Sequence, residues 1–443
     1  MPFDPYRRVL ALPHVRRLVL VGVVARIPHT AAALVLTMHV VLTLDRGYAA
    51  AGVVAASVTI GLALGAPWRG RAIDRMGLRR ALLPSIVAEA VVWTSAPFLS
   101  YHQLIGAVFV GGLLGLPVFT VVRQSMSVLV PAEQHRTAFA LDSVAVELSF
   151  MVGPALGVLV ATQVSTQVAL VCVGATTVLA GGALYALDAP TRSPADPRAA
   201  RVVRVQGEAP PKAARVPLSG GLVAVLGATA ASTIVLAGTD VSILASMDES
   251  GAVGLTGVVV GAWCVASLVG GLVYGALPRA LPPLVLLFGL GALTAPVGLV
   301  TGPLALGLAV IPAGLLCAPV ITATSEVIVK LVPEAVRGEA MGWHGSALTG
   351  GSAVGAPLAG WAIDQVGPWG GFAAVGLTGV LLSLVALLVT LLRRRRRRRT
   401  RGWEQPDPVS VRSSSVQATA VQATSLEATS PQATRPVSFS PGP

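Results

Sequence analysis

The sequence predicts an all-α membrane protein of twelve transmembrane helices in two pseudo-symmetric six-helix halves. Three observations predict it. Of the 443 residues, 54% are hydrophobic and only 12% charged, too few charges for a soluble chain of this size to solvate itself. Long apolar runs alternate with short basic connections. The chain also repeats itself weakly: Ala138 and Ala340 stand 202 residues apart, and so do Gly153 and Gly355.

At a rise of about 1.5 Å per residue, a run of roughly 20 apolar residues crosses a hydrocarbon core as a helix. After a short N-terminus, 1–17, the first run covers 18–43 and is too long for the apolar region of a secretory signal. Runs at 50–68 and 81–100 flank the stretch Trp68-Arg-Gly-Arg-Ala-Ile-Asp-Arg-Met-Gly-Leu-Arg-Arg-Ala81, which is expected as a basic loop. Runs at 104–129, 137–162 and 166–187 complete a first half, 18–187. Residues 188–218 break the apolar pattern with prolines and arginines and read as a cytoplasmic linker. Runs at 219–246, 252–276, 282–301, 303–331, 340–363 and 370–392 make a second half, 219–392. Beyond it lie Arg393–Arg399 and a tail to Pro443 rich in Ser, Thr, Pro and Ala, with Val-Gln-Ala-Thr echoed as Leu-Glu-Ala-Thr and Pro-Gln-Ala-Thr. Nothing there can bury a core, so disorder is expected over 393–443 once the arginine run is passed.

Charge gives the sidedness. With the N-terminus in the cytoplasm, every Lys and Arg of the 32 except Arg26, Arg123 and Arg46 falls on or beside the inner face. The run Arg393–Arg399 follows the last span, so both termini are expected inside and the number of spans is even. That run is expected to sit on anionic lipid. The net charge of +12 follows from the same asymmetry, which argues against a nucleic-acid partner. Arginine outnumbers lysine 30 to 2 and Ala, Gly and Val are abundant, which points to a GC-rich bacterium and its cytoplasmic membrane.

Several chemistries are set aside. Cys172, Cys264 and Cys317 lie inside spans and read as packing residues, with no disulfide framework or metal cluster. A phosphate-cradling loop needs Gly-x-x-x-x-Gly-Lys followed by Ser or Thr; the two lysines, Lys212 and Lys330, have no such context. ATP-driven transport by this chain alone is therefore excluded. No catalytic triad is present, so no enzyme and no cofactor are expected.

Ionisable residues inside spans cost about 2.5–3.5 kcal/mol each and require a reason. They are Arg26, Glu89, Arg123, Asp142, Glu147, Asp240 and Glu326. Five carboxylates against two arginines leave three acids without a fixed cation, and such acids sit in a wet cavity or take up a proton. Depth pairs Arg26 with Glu147 and Arg123 with Asp142. Asp240 stands alone in the outer half, His29 shares the Arg26 face, and Lys330 snorkels to the inner interface. Glu89, His39 and His344 read as packing groups. The coupling proton is expected on Glu147 or Asp142, with Asp240 next.

The basic stretch resembles the signature of the major facilitator superfamily between helices two and three: Gly70, the pair Asp74-Arg75, Gly77, then Arg79 and Arg80. The resemblance implies the twelve-helix fold of that family, a monomer, a small-molecule substrate and a latch near Glu339. Glycines at 70 and 77 allow tight approach and turning, and Asp74 is suited to a helix N-terminus. A second stretch, Gly153-Pro154-Ala-Leu-Gly157, is similar to the glycine-proline motif of proton-driven exporters, with Ser149 and Val158 where further glycines are expected. The wording from Ala138 to Pro154 resembles actinobacterial drug and metabolite exporters. Together these readings give a secondary transporter, expected to be a proton-coupled exporter of a small organic molecule. The alternatives are a facilitator or importer of the same fold, or a membrane sensor that has lost transport.

Overall fold

The structure, a computed structural model, describes residues 4–192, 215–217 and 219–401. Most of the expected linker 188–218, and the tail beyond Arg401, lie outside the described residues. Two compact units are distinguished, Met1–Leu387 and Leu388–Pro443; of the second, the described part is helical.

Among the described residues there is helix and no strand. A short α1 (Asp4–Leu10) precedes α2 (Pro13–Leu42), which begins on a proline whose missing N–H has no partner to lose in the first turn. Then come α3 (Tyr48–Met76), α4 (Leu78–Ser95), α5 (Tyr101–Leu114), α6 (Val118–Leu129), α7 (His135–Gln163) and α8 (Thr166–Leu187). The second half holds α9 (Gly220–Glu249), α10 (Thr256–Ala276), α11 (Pro283–Thr294), α12 (Pro303–Ala309), α13 (Ile311–Leu331), α14 (Arg337–Val366) and α15 (Pro368–Arg401). Ser165 and Ser219 cap α8 and α9 by accepting from Val168 N and Leu222 N.

Ten segments among the described residues are long and apolar enough to cross a membrane, with α5 and α6 counted as one and α12 and α13 as another. Two further helices complete the twelve. Residues 283–299 form a shorter apolar helix. The 30-residue α14 is instead rich in Gly, Ser and Thr, and packs against α3 and α9. Its glycines lie where it meets them: Gly338 and Gly342 against α3, Gly351 and Gly355 against α9.

One element departs from expectation. The basic stretch is not a loop: α3 continues through Arg69–Met76, and Gly77 alone joins it to α4. Ile73 is fully buried there, so the helix keeps an apolar stripe after leaving the apolar run. Gly77 makes the reversal at φ +80°, a conformation that L side chains resist.

The two halves repeat one another. Helix α7 crosses α2 where Gly153 and Gly157 meet Ile27, Thr30, Ala31 and Val35, and α14 crosses α9 where Gly351 and Gly355 meet Ala230, Thr233 and Ile234. Two of the three apolar cores stay within one half. One gathers Ala31, Val35, Trp93, Leu104 and Leu170; the other Val235, Ile243, Leu287, Val320 and Phe372. The third joins the halves, bringing Val9, Leu18, Ile73 and Leu184 together with Leu222, Val332, Val336 and Ala340. These residues lie at the end of the bundle that carries the basic stretch, here called the basic end. The halves share their apolar core at that end.

The fourth crossing is broken at Gly115-Leu-Pro117, between α5 and α6. Pro117 has no N–H to donate and biases Leu116 away from helix. Two buried charged residues hold the broken ends. Arg69 of α3 donates to Leu113 O at 2.8 Å and also to Gly112 O, placing a cation on the carbonyl end of α5. Glu89 of α4 accepts from Leu116 N at 3.2 Å and from the Trp93 indole. Glu89 is thus a structural acid. Replacing it with alanine strands a buried N–H and an indole N–H, and should destabilise the protein by about 1–3 kcal/mol; thermal unfolding in detergent should show Glu89→Ala well below Glu89→Gln. Equal stability of Glu89→Ala and the parent would remove this role.

Candidate functional site

The intramembrane charges converge between α2, α6, α7 and α13. Asp142, in the middle of α7's first half, has no exposed surface. Its Oδ1 accepts from Arg26 Nη2 at 2.6 Å and its Oδ2 from Arg123 Nε at 2.8 Å. Burial of a lone carboxylate is prohibitive, but two guanidinium partners make it tenable. Arg123 also donates Nη1 to Ser325 Oγ on α13 at 3.0 Å, so the cluster reaches across the two halves. The Arg26 guanidinium lies over the Phe119 ring, 5.0 Å from its centroid. The expected pairing of Arg26 with Glu147 is therefore corrected. Both arginines turn to Asp142, since the rotation of α7 points residue 142 at α2 and α6.

Glu147 faces the other half. Five residues beyond Asp142 on α7, it accepts from Ser267 Oγ of α10 at 2.7 Å. Asp240 on α9 carries no hydrogen bond or ion pair among the described residues, and its surface is open. It is near enough to Glu147 for their charges to interact. Asp240 therefore does not stand alone in the outer half, as depth along its helix suggests. Cys264 of α10 is close to both acids and partly exposed.

Glu326 belongs elsewhere. It pairs with Lys330 one turn along α13 at 2.6 Å, and the charges that feel it include those of His135 and Tyr274. Glu326 is expected among the proton-coupling or cavity charges; here it is ion-paired, and the lysine expected to snorkel to the inner interface is its partner. Three of the five intramembrane acids thus have no ion-pair partner among the described residues, Glu89, Glu147 and Asp240; neutral donors hold Glu89, which leaves Glu147 and Asp240.

At the basic end the signature residues form a tight seam. The Asp74 carboxylate accepts from Gly338 N at 2.9 Å and Glu339 N at 2.8 Å, in the first turn of α14. Negative charge is stabilised at that helix end. Gly70 lies so close to the Gly338 carbonyl that a Cβ there would collide with it. Arg71, not singled out by the motif, forms an ion pair with Glu339. Further along the same seam Ser346 Oγ donates to Ala63 O at 2.6 Å. Arg79 reaches Asp188 Oδ2 at 3.2 Å and stacks near Tyr185, while Arg75 and Arg80 are exposed. Gly153 and Gly157 pack α7 on α2 within the first half, with Pro154 between them inside a continuous helix.

Gln124 links the two sites. It follows Arg123 on α6, and its Nε2 donates to Asp74 Oδ1 at 2.9 Å. One residue of α6 thus holds the buried charge cluster and the next holds the seam. A search by charge passes over an amide, and only its adjacency to Arg123 marks it in the sequence.

The Major Facilitator Superfamily matches this chain over residues 18–311 and again over 225–438. The chain belongs to that family. Members of the Major Facilitator Superfamily are transporters and not enzymes, and this chain is a multi-pass membrane protein of the same class. Comparison with the curated proteins gives no match by sequence. Among solved structures, the chain is similar to the human organic anion transporter MFSD10 (TETRAN), at 16% identity and a TM-score of 0.63, covering 86% of this chain and 100% of that one. A bacterial homologue of the iron transporter ferroportin, in an outward-facing state, aligns at 15% identity and a TM-score of 0.65, covering 85% and 98%. The E. coli fucose:proton symporter FucP aligns at 12% identity and 0.63, covering 86% and 99%. At such identities the likeness shows the fold alone.

The seam predicts a specific defect for this transporter. Asp74→Asn keeps one acceptor but removes the charge at the α14 N-terminus. Transport should slow by roughly tenfold, the weight of one charge-assisted hydrogen bond, while expression and substrate binding stay near normal. Unchanged turnover in reconstituted vesicles would remove the seam from the mechanism.

Proposed function

We propose that this transporter is a proton-coupled exporter of a small organic molecule, working by alternating access with its basic end in the cytoplasm. The observation that carries the reading is Glu147. It is a carboxylate in the middle of the bundle, on the line where the halves meet, hydrogen-bonded to a hydroxyl of the opposite half and near a second acid, Asp240. Ionised, the two acids repel across the interface and favour a cavity open away from the basic end. Protonated, they let the halves approach there, and the basic end is free to part. A proton that binds the two access states unequally shifts their populations, and this is the whole of the coupling required. Asp142 is less suited to the task, because two arginines hold it and its release would leave both unpaired.

The orientation rests on the arginine asymmetry, which places both termini and the linker in the cytoplasm, and the arginine-rich composition supports a bacterial cytoplasmic membrane. Export rests on the likeness of Gly153-Pro154 to the exporter motif and of the surrounding residues to actinobacterial exporters. The two six-helix halves are proposed to rock as bodies, residues 18–187 against 219–392, joined by 188–218. Anionic lipid is proposed to meet Arg393–Arg399.

The test is Glu147→Gln in vesicles with an imposed pH gradient. Substrate exchange should persist while accumulation driven by the gradient falls to the level of an equilibrated vesicle. Gradient-driven accumulation that survives in Glu147→Gln and in Asp240→Asn alike would contradict the coupling site and favour a facilitator.

A further inference from the structure

The basic end has a second seam, between α7 and α10, and a residue outside both halves completes it. The signature that closes the α3–α14 seam has no acidic counterpart here, since Leu277-Pro-Arg279 follows α10 in place of an Asp-Arg pair. Donors aimed at the carbonyl end of α10 take its place. Thr137 Oγ1 donates to Gly275 O at 2.8 Å, and Arg136 donates to Leu277 O. The third donor comes from α1. Tyr6, 6% exposed, donates its hydroxyl to Leu272 O at 2.6 Å and approaches Gly271 O at 3.4 Å.

The two seams are electrostatic opposites. At the first, a carboxylate meets the N–H end of α14. At the second, hydroxyls and a guanidinium meet the C=O end of α10, where donors and positive charge are stabilised. The fit at the second seam is close: a Cβ on Gly275 would overlap the Tyr6 hydroxyl and the Ala140 side chain. Helix α1 also packs on α7 and α2 of the first half. Tyr6 therefore ties the first half, through α1, to the second. Burial pushes its phenol up to about 12, so it remains a donor across the physiological range.

We infer that Asp4–Leu10 is a strap of the closed basic end, and that Tyr6 is a positioning residue for transport, leaving Leu272 each time the basic end opens. This rests on the alternating-access reading proposed above. Tyr6→Phe keeps the ring and removes the donor.

The experiment is distance measurement between spin labels in reconstituted full-length protein, with Cys172→Ser and Cys264→Ala to remove the accessible native thiols. One pair, Glu133→Cys with Arg279→Cys, reads the α7–α10 seam at exposed positions. The other, Met76→Cys with Leu331→Cys, reads the α3–α14 side. In Tyr6→Phe the ratio of parted to closed populations should rise roughly threefold to tenfold, as for one lost hydrogen bond, and at both pairs, because the halves move as bodies. Movement at the first pair alone would mean that Tyr6 only anchors α1, and would overturn the inference. So would populations unchanged from the parent while Asp74→Asn shifts them. If neither Tyr6→Phe nor Asp74→Asn, nor any change of pH, moves either pair, alternating access through these seams fails, and the strap with it.

Discussion

One buried carboxylate organises the interior. Asp142 accepts from Arg26 of α2 and Arg123 of α6, and Arg123 extends to Ser325 in the other half. Without the acid, two guanidinium groups would be left in a dry site, at a cost of several kcal/mol. The acid therefore fixes how α2, α6 and α7 are rotated, and through that rotation it decides what everything else faces. Glu147, just over one turn further along α7, is turned toward α10. Gln124, the next residue on α6 after Arg123, is turned toward Asp74.

This geometry joins two places that the motif treats as separate. The signature at 70–80 acts at the surface, and the intramembrane charges act in the middle of the bundle. The six-residue span from Phe119 to Gln124 on α6 touches both: the ring under Arg26, the guanidinium on Asp142 and the amide on Asp74. The break at Gly115-Leu-Pro117 frees this half-helix from α5, and Arg69 and Glu89 stabilise the broken ends. A short, separately held helix is a suitable element for passing a change of charge state in the core to the contacts at the basic end.

Much of the fold is legible in the sequence because hydropathy and arginine sidedness are one-dimensional signals. Twelve segments, an even count and two halves follow from them. What is less legible depends on rotation about helix axes. Depth alone pairs Arg26 with Glu147, whereas the packing of α7 on α2 at Gly153 and Gly157 turns Asp142 to that position. The partner of Glu326 was within reach, since Lys330 lies one turn along the same helix. So was the break in the fourth crossing, from Pro117. The extension of α3 through Arg69–Met76 was hidden by its charges: a helix leaving the bilayer keeps its period while its composition changes. Tyr6 lay in a terminus that carries no motif, and only the structure brings it to Leu272.

In the proposed cycle, protonation of acids on the facing halves selects which end of the bundle is open. Cys264 lies beside both acids and is partly exposed, so it reports on access. In Cys172→Ser protein, labelling of Cys264 by a membrane-impermeant maleimide is measured from each side, in right-side-out and inside-out vesicles, across pH 5.5–8. The ratio of the two rates removes the direct effect of pH on the thiol. Access from the side away from the basic end should dominate at high pH. Access from the basic side should grow as pH falls, and this dependence should disappear in Glu147→Gln combined with Asp240→Asn. A ratio that is constant with pH in the parent, or an equal pH dependence in the double variant, would contradict it.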